Sequence, residues 1–382
     1  MRGIAGGFRA ELAGIFRDPQ IAMILILALA IYGVIYPAPY KTELLRDVPV
    51  VAVDLDGGET ARELLRAVDA AESVRIAAHV PDMAAATALV HRREAYGIVV
   101  IPQDFERALL SGRPSPIAVY GDASYFLVYQ KVLTGIAVPV RQIGARIAAG
   151  RLMAGQQLGA EQALAMANPT QLVEVPLFNP SGGYATYILP AALVLILHQT
   201  QVMGLALVAV RRPRSPRLPA EDLLGQAAVW LLLYAGLLPL FLVALPQVYG
   251  LPWLGDLRLL AALGLPFVLA TGMLAQMVAA VLRRAELVQP VLLAMGLPLF
   301  FLSGFSWPIE AIPAPLQMAA GAIPAVPMIE GYTRLAAMGG SWADIAPAVR
   351  HLWVLAGVYG ALTLAARHML APTVPPRTVA DG

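Results

Sequence analysis

Hydrophobic and polar positions divide the chain into two regimes. In the first, apolar residues run unbroken for about one bilayer crossing. These runs are Ile21–Tyr36, Tyr187–Val210, Leu223–Leu245, Leu259–Leu282, Leu287–Trp307 and His351–Ala366. None holds an Asp, Glu, Lys or Arg, and His351 sits at the edge of the last. Each reads as a membrane-spanning helix. In the second regime, from Lys41 to about Phe178, charges return and short strands alternate with helices. The strands are Val50–Asp54, Val74–His79, Gly97–Ile101 and Ile117–Tyr120. The helices between them are Glu59–Ala70, Asp82–Arg93 and Asp104–Leu110. That alternation predicts a small α/β domain. A long helix from about Tyr125 to Met166, kinked or broken at Pro139, leads back to the apolar region.

Two shorter patterns flank the spans. In Met1–Asp18, Ile4, Phe8, Leu12 and Ile15 recur at helical spacing, with Arg2, Arg9, Glu11 and Arg17 off that stripe. This predicts an amphipathic helix lying on a membrane face, the other reading being a charged lead-in to a signal sequence. No small-x-small cleavage site follows the first apolar run, which favours a retained span. Between the fifth and sixth runs, Trp307 to about Val349 carries Pro308, Pro313, Pro315, Pro324 and Pro327. Its apolar pieces Leu316–Ile323 and Met328–Met338 are too short to cross. Two readings stand: a re-entrant helical hairpin packed on protein, or an amphipathic loop on the outer surface.

Arginine sets the orientation. Arg2, Arg9 and Arg17 precede the first span, Arg211, Arg212, Arg214 and Arg217 follow the second, Arg283 and Arg284 follow the fourth, and Arg367 and Arg377 follow the sixth. With six alternating crossings all of these fall on one side, the cytoplasm. Both termini are then cytoplasmic and the α/β domain is extracytoplasmic.

Composition narrows the class. Charged residues make up 14% and hydrophobic residues 58% of the 382, against roughly 25% charged in a typical soluble domain. A net charge of +2 in scattered clusters leaves no nucleic-acid footprint. With no cysteine there is no disulfide framework, thiolate metal site or cysteine nucleophile. Lysine occurs only at Lys41 and Lys131, after Tyr40 and Gln130, so no Gly-Lys phosphate loop exists. If the protein uses ATP, another chain binds it. Asp54 and Asp56 with Gly57 and Gly58 lack the further ligands of a calcium loop and read as a strand-to-helix turn. No protease or nucleophile motif lies in a span, and the five histidines are dispersed.

Polar residues inside the apolar regime are the remaining candidates. His198, Gln199, Thr200 and Gln201 lie within the second span, where polar groups face a water-filled path or bond between helices. Glu310, Glu330 and Arg334 lie in the proline-rich segment. Glu330 and Arg334 are one helical turn apart and either pair structurally or gate an exit. The arginines from Arg211 to Arg217 hold anionic headgroups, a protein partner, or both.

The order of these parts resembles the permease subunit of a type-2 ABC exporter over nearly the whole chain. The local strings are VVAVDLDGGETARELL (Val50–Leu65), FNPSGGYATYILP (Phe178–Pro190), LSGFSWPIEAIP (Leu302–Pro313) and IPAVPMIEGYTRL (Ile323–Leu335). One departure is the segment RRPRSPRLPAEDLLGQ (Arg211–Gln226), basic and proline-rich where many relatives carry an acidic Glu-x-Gly-Thr motif.

The resemblance implies an α-helical polytopic membrane protein of a bacterial inner membrane. Residues 1–20 form a cytoplasmic amphipathic helix, 21–39 the first span, and 40–180 an extracytoplasmic α/β domain with its long helix. Residues 181–370 form five spans with a re-entrant segment at 307–345, and 371–382 a cytoplasmic tail. It further implies a second permease, identical or homologous, and two cytoplasmic ATPase subunits that hold ATP and magnesium, with no cofactor in this chain. Contact with the ATPase falls on Arg211, Arg212, Arg214, Arg217, Glu221 and Asp222. The substrate path or gate falls on His198, Gln201, Glu310, Glu330 and Arg334. The expected activity is outward transport of a hydrophobic or amphipathic compound, as in multidrug efflux, with a periplasmic adaptor docked outside. The competing expectation is a membrane receptor or scaffold whose outer domain binds a ligand without transport.

Overall fold

The computed structural model describes residues 3–40, 45–156, 159–168, 177–179, 183–212, 220–304, 307 and 309–369. The chain separates into two compact units, Leu44–Val175 and the remainder, Met1–Glu43 with Pro176–Gly382. The second unit begins with α1 (Ile4–Arg17) and the first apolar helix, α2 (Pro19–Tyr40). Asp18 separates them and caps α2, its carboxylate accepting from the Gln20 amide at 3.0 Å. A π-helical turn, Met23–Leu27, interrupts α2.

The inserted unit carries β1 (Val48–Asp54), α3 (Glu59–Asp69), β2 (Val74–Val80), α4 (Met83–His91), β3 (Gly97–Ile101), α5 (Phe105–Leu110), β4 (Ala118–Gly121), α6 (Phe126–Gln156) and α7 (Ala160–Ala167). The sheet order is β2-β1-β3-β4, with β1 parallel to β2 and β3, and β4 antiparallel on the edge beside β3. β1 is buried on both faces, as a central parallel strand must be. Val50 and Ala52 join a core with Leu64, Val68, Val132 and Ile136 of α3 and α6, while Val51 and Val53 pack with Ala86 of α4. At the end of β1, the Asp54 carboxylate accepts from the backbone of Asp56 and Gly57 at 3.0 and 2.9 Å. Its acidity serves the turn, and no group of metal-holding side chains exists among the described residues.

Of the expected kink or break at Pro139, there is no break: α6 runs through it. Proline removes a bond to the carbonyl of residue 135 and crowds it. That residue is Gly135, which packs closely against Ser73 and Val74.

The apolar unit continues with α8 (Tyr184–Arg211), α9 (Glu221–Val248), α10 (Leu257–Leu282), α11 (Ala285–Leu302), α12 (Ala314–Gly321), α13 (Ala325–Met338) and α14 (Trp342–Met369). Among the described residues, six helices are long and apolar enough to span a bilayer: α2, α8, α9, α10, α11 and α14. α8 is the most enclosed and α11 the least. A second π-helical turn, Leu240–Ala244, lies in α9, and Gly33 of α2 packs against its Phe241 and against Leu245.

α14 starts at Trp342, well before the apolar run at His351. Ser341 and Asp344 cap it reciprocally, with the Asp344 carboxylate accepting from the Ser341 amide and hydroxyl at 2.8 and 2.7 Å. Pro347 lies inside the helix in its second turn, where it leaves the Ala343 carbonyl without its helical donor. The segment before it is correspondingly shorter, ending where α13 terminates on left-handed Gly339.

Candidate functional site

α1 meets the ends of α8 and α9 at a junction made of glycine and charge. The buried face of α1 is Gly7, Glu11 and Ile15, while Ile4, Leu12 and Phe16 are exposed. Of the expected apolar stripe, Ile15 is buried and Phe8 packs on the core, while Ile4 and Leu12 stay exposed. The glycine face sets how closely α1 approaches α9. A Cβ on Gly7 would collide with the Asp222 backbone, and one on Gly225 would collide with the backbone of Ile4 and Phe8. Only glycine lets α1 and α9 approach this closely. The Gly3 amide donates to Asp222 Oδ1 at 2.8 Å.

At the centre of that face Glu11 is fully buried. Its carboxylate pairs with the Arg212 guanidinium at the end of α8 and accepts from Trp230 Nε1 of α9 at 2.7 Å. A lone carboxylate in such surroundings is expensive, and Arg212 and Trp230 supply it a counter-charge and a donor. The Trp230 ring in turn lies on Gly272 of α10, where a Cβ would strike it. One turn on, Arg211 pairs with Asp18 and donates to the Gln20 side chain. The Arg211 guanidinium holds the Asp18 carboxyl below its usual range.

The structure therefore places Arg211 and Arg212 facing α1 of the same chain. Glu221 is exposed, and Asp222 caps α1. Arg214 and Arg217 lie outside the described residues. Sequence reasoning missed Glu11, Trp230, Gly7 and Gly225. The one visible signal was an acid inside an otherwise apolar-faced helix.

A second set of polar groups lies inside the bundle. Gln201 Nε2 donates to the Val268 carbonyl of α10 at 2.9 Å, and Gln199 Nε2 donates to the Leu292 carbonyl of α11 at 2.5 Å. Thr200 bonds back to the Ile196 carbonyl of its own helix at 2.7 Å. His198, 2% exposed, lies 6.4 Å from the Phe267 ring, centroid to centroid, and neither ring nitrogen has a partner among the described residues. His198 and Gln201 are brought together one turn apart, but in the interior of a single chain's helix packing rather than on an open wall.

The third set lies on α13 and before α12. Glu330 and Arg334 pair at 2.6 Å, and Arg334 Nη1 donates to the Asp344 carbonyl at 3.0 Å, tying α13 to the start of α14. Glu310 lies apart on the short helical turn Ile309–Ala311, exposed and bonded to neither. The inner face of α13 is core: Met328, Tyr332 and Leu335 are buried, and the Tyr332 hydroxyl donates to the Leu242 carbonyl of α9 at 2.6 Å.

Comparison with known proteins agrees with this layout. A family model described as ABC-2 family transporter protein matches residues 20–365. A relative in Escherichia coli strain K12, named probable multidrug ABC transporter permease YbhR, is 23% identical over 323 residues. The match covers 81% of this chain and 83% of the relative. Its counterpart in Escherichia coli O157:H7 matches to the same extent. Six bilayer-length helices, the inserted α/β unit and a match across nearly all of the apolar unit lead to one conclusion: the chain belongs to the ABC-2 transporter family.

Proposed function

We propose that this transport permease subunit forms the membrane path of an ATP-driven exporter that moves a hydrophobic or amphipathic compound outward. The carrying observation is the junction of α1, α8 and α9. It gathers Arg211, Arg212 and the starter helix on one end of the bundle, where a fuel-supplying partner has something rigid to push. The multidrug name of the Escherichia coli relatives supports the substrate class. ATP and magnesium belong to two ATPase subunits, which meet Arg214, Arg217, Glu221 and Asp222, with Arg211 and Arg212 supporting that surface from behind. A second permease completes the path.

Arginine placement supports an inner-membrane orientation with both termini cytoplasmic and the α/β unit outside. There the unit docks an adaptor. The packing of α13 against the level of Leu242 supports a re-entrant hairpin, with Glu310, Glu330 and Arg334 near the outer exit. His198 and Gln201 act behind the path rather than on it. The test is co-expression with candidate ATPase chains, followed by reconstitution in inside-out vesicles. The expected result is a stable complex and ATP-dependent uptake of a fluorescent amphipathic dye. Dye binding without ATP-driven movement in every pairing overturns the reading in favour of a receptor.

A further inference from the structure

We infer that Glu11 is a positioning residue that locks α1 and the projecting base of α9 into one rigid lever, an inference that rests on the exporter reading above. Three observations carry it. First, α9 is longer than a bilayer requires. Its 28 residues extend about 42 Å at about 1.5 Å each, against a hydrocarbon core of about 30 Å. The excess is at its first end. There Glu221 and Asp222 begin the helix, and Trp230, buried against α1 and α10, is level with Arg212, the residue that follows α8, through their shared partner Glu11. Arginine marks a membrane–water boundary. The first turn of α9, opening on Glu221 and Asp222, therefore reaches past the hydrocarbon core.

Second, α1 runs along that end of α9. Gly3 and Gly7 touch Asp222, Ile4 and Phe8 touch Gly225, and Glu11 reaches Trp230. Glycine at both contact points leaves backbone against backbone, with no flexible side chain to absorb displacement.

Third, Glu11 fixes the register of three helices at once. Its carboxylate holds Arg212 at the end of α8 and the Trp230 indole of α9, and that indole rests on Gly272 of α10. A force on α1 thus arrives at α8, α9 and α10 together. A neutral side chain at position 11 leaves Arg212 buried without its counter-charge, so the register is no longer unique. The pair acts from behind the docking surface; its charge is consumed internally.

The experiment uses the full chain with the ATPase that co-purifies with it. Glu11→Gln keeps an acceptor for Trp230 and removes the charge. The expected result is permease-stimulated ATP turnover falling about tenfold, with KM for ATP unchanged. The double variant Glu11→Gln with Arg212→Gln restores a neutral hydrogen-bonded pair and recovers turnover to within about twofold of wild type. Full coupling in Glu11→Gln overturns the lock. So does persistent uncoupling in an assembled double variant, because Arg212 would then be touching the ATPase directly. Where Glu11→Gln does not assemble, the double variant alone decides.

The absence of cysteine allows a second, partner-independent reading. Spin labels on Leu12→Cys and Leu224→Cys give one narrow distance in the isolated wild-type permease and a broadened one in Glu11→Gln. An unchanged distribution overturns the lock. If no ATPase associates with wild type, the exporter reading fails while this distance measurement still tests Glu11.

Discussion

The Gln201 side chain donates to the Val268 carbonyl at 2.9 Å, with both residues buried where α8 meets α10. The other amide atom, Oε1, has no partner among the described residues. Half of this side chain therefore stabilises and half is desolvated without return. Gln201→Leu, similar in volume, is expected to change stability by less than about 1 kcal/mol. Gln201→Ala opens a cavity and costs about 2–4 kcal/mol. Thermal unfolding in detergent separates the two.

His198 gives the opposite sign. Both ring nitrogens are buried without partners among the described residues, a burden of about 1–3 kcal/mol per unsatisfied group. His198→Leu is expected to raise the melting temperature by several degrees. A fall, together with lost transport, would show instead that the ring binds something in the working protein.

Glycines at the junction behave differently from glycines on open faces. Gly225→Val drives a side chain into the Ile4 and Phe8 backbone and is expected to cost about 3 kcal/mol or more. Gly236→Ala and Gly357→Ala meet nothing within contact distance and are expected to gain up to about 1 kcal/mol each from helix propensity. Matched melting curves for the three variants check both halves.

Acid exposes the Asp18–Arg211 pair. Arg211 depresses the folded-state pKa of Asp18 below the ordinary carboxylate range. The pair's contribution is therefore complete above that range and fades as pH falls through the folded pKa. Asp18→Asn is expected to melt lower than wild type at pH 7, with the gap closing below about pH 4. A gap that widened in acid would reverse the assignment.

The exposed pair Glu330–Arg334 is worth little to the fold. Arg334→Ala is expected to change stability by less than about 1 kcal/mol, since exposed pairs in water contribute near zero to that amount. A transport defect in a variant with an unchanged melting curve would give the pair a gating role.

Much of this architecture was legible because membrane spans and strands advertise themselves locally. A charge-free run such as Tyr187–Val210 has one explanation, and VVAVD before a helix has few. The start of α14 was hidden because Asp344, Pro347 and Arg350 read as loop, although Ser341 and Asp344 supply a cap. The Glu11 junction was hidden for a different reason. Its partners Arg212 and Trp230 lie 201 and 219 positions away, and the apolar stripe of α1 carries no sign of either. Periodicity reports which residues avoid water; it does not report which acid a distant arginine will neutralise.

The two π-helical turns, Met23–Leu27 in α2 and Leu240–Ala244 in α9, each accommodate one surplus residue. Deleting a residue inside either window converts it to ordinary α-helix and leaves both flanks in phase. Deleting a residue a few turns away instead swings everything beyond it by about 100° around the axis and turns lipid-facing leucines inward. Indel scanning across these helices should therefore find two narrow islands of tolerance in otherwise unforgiving stretches.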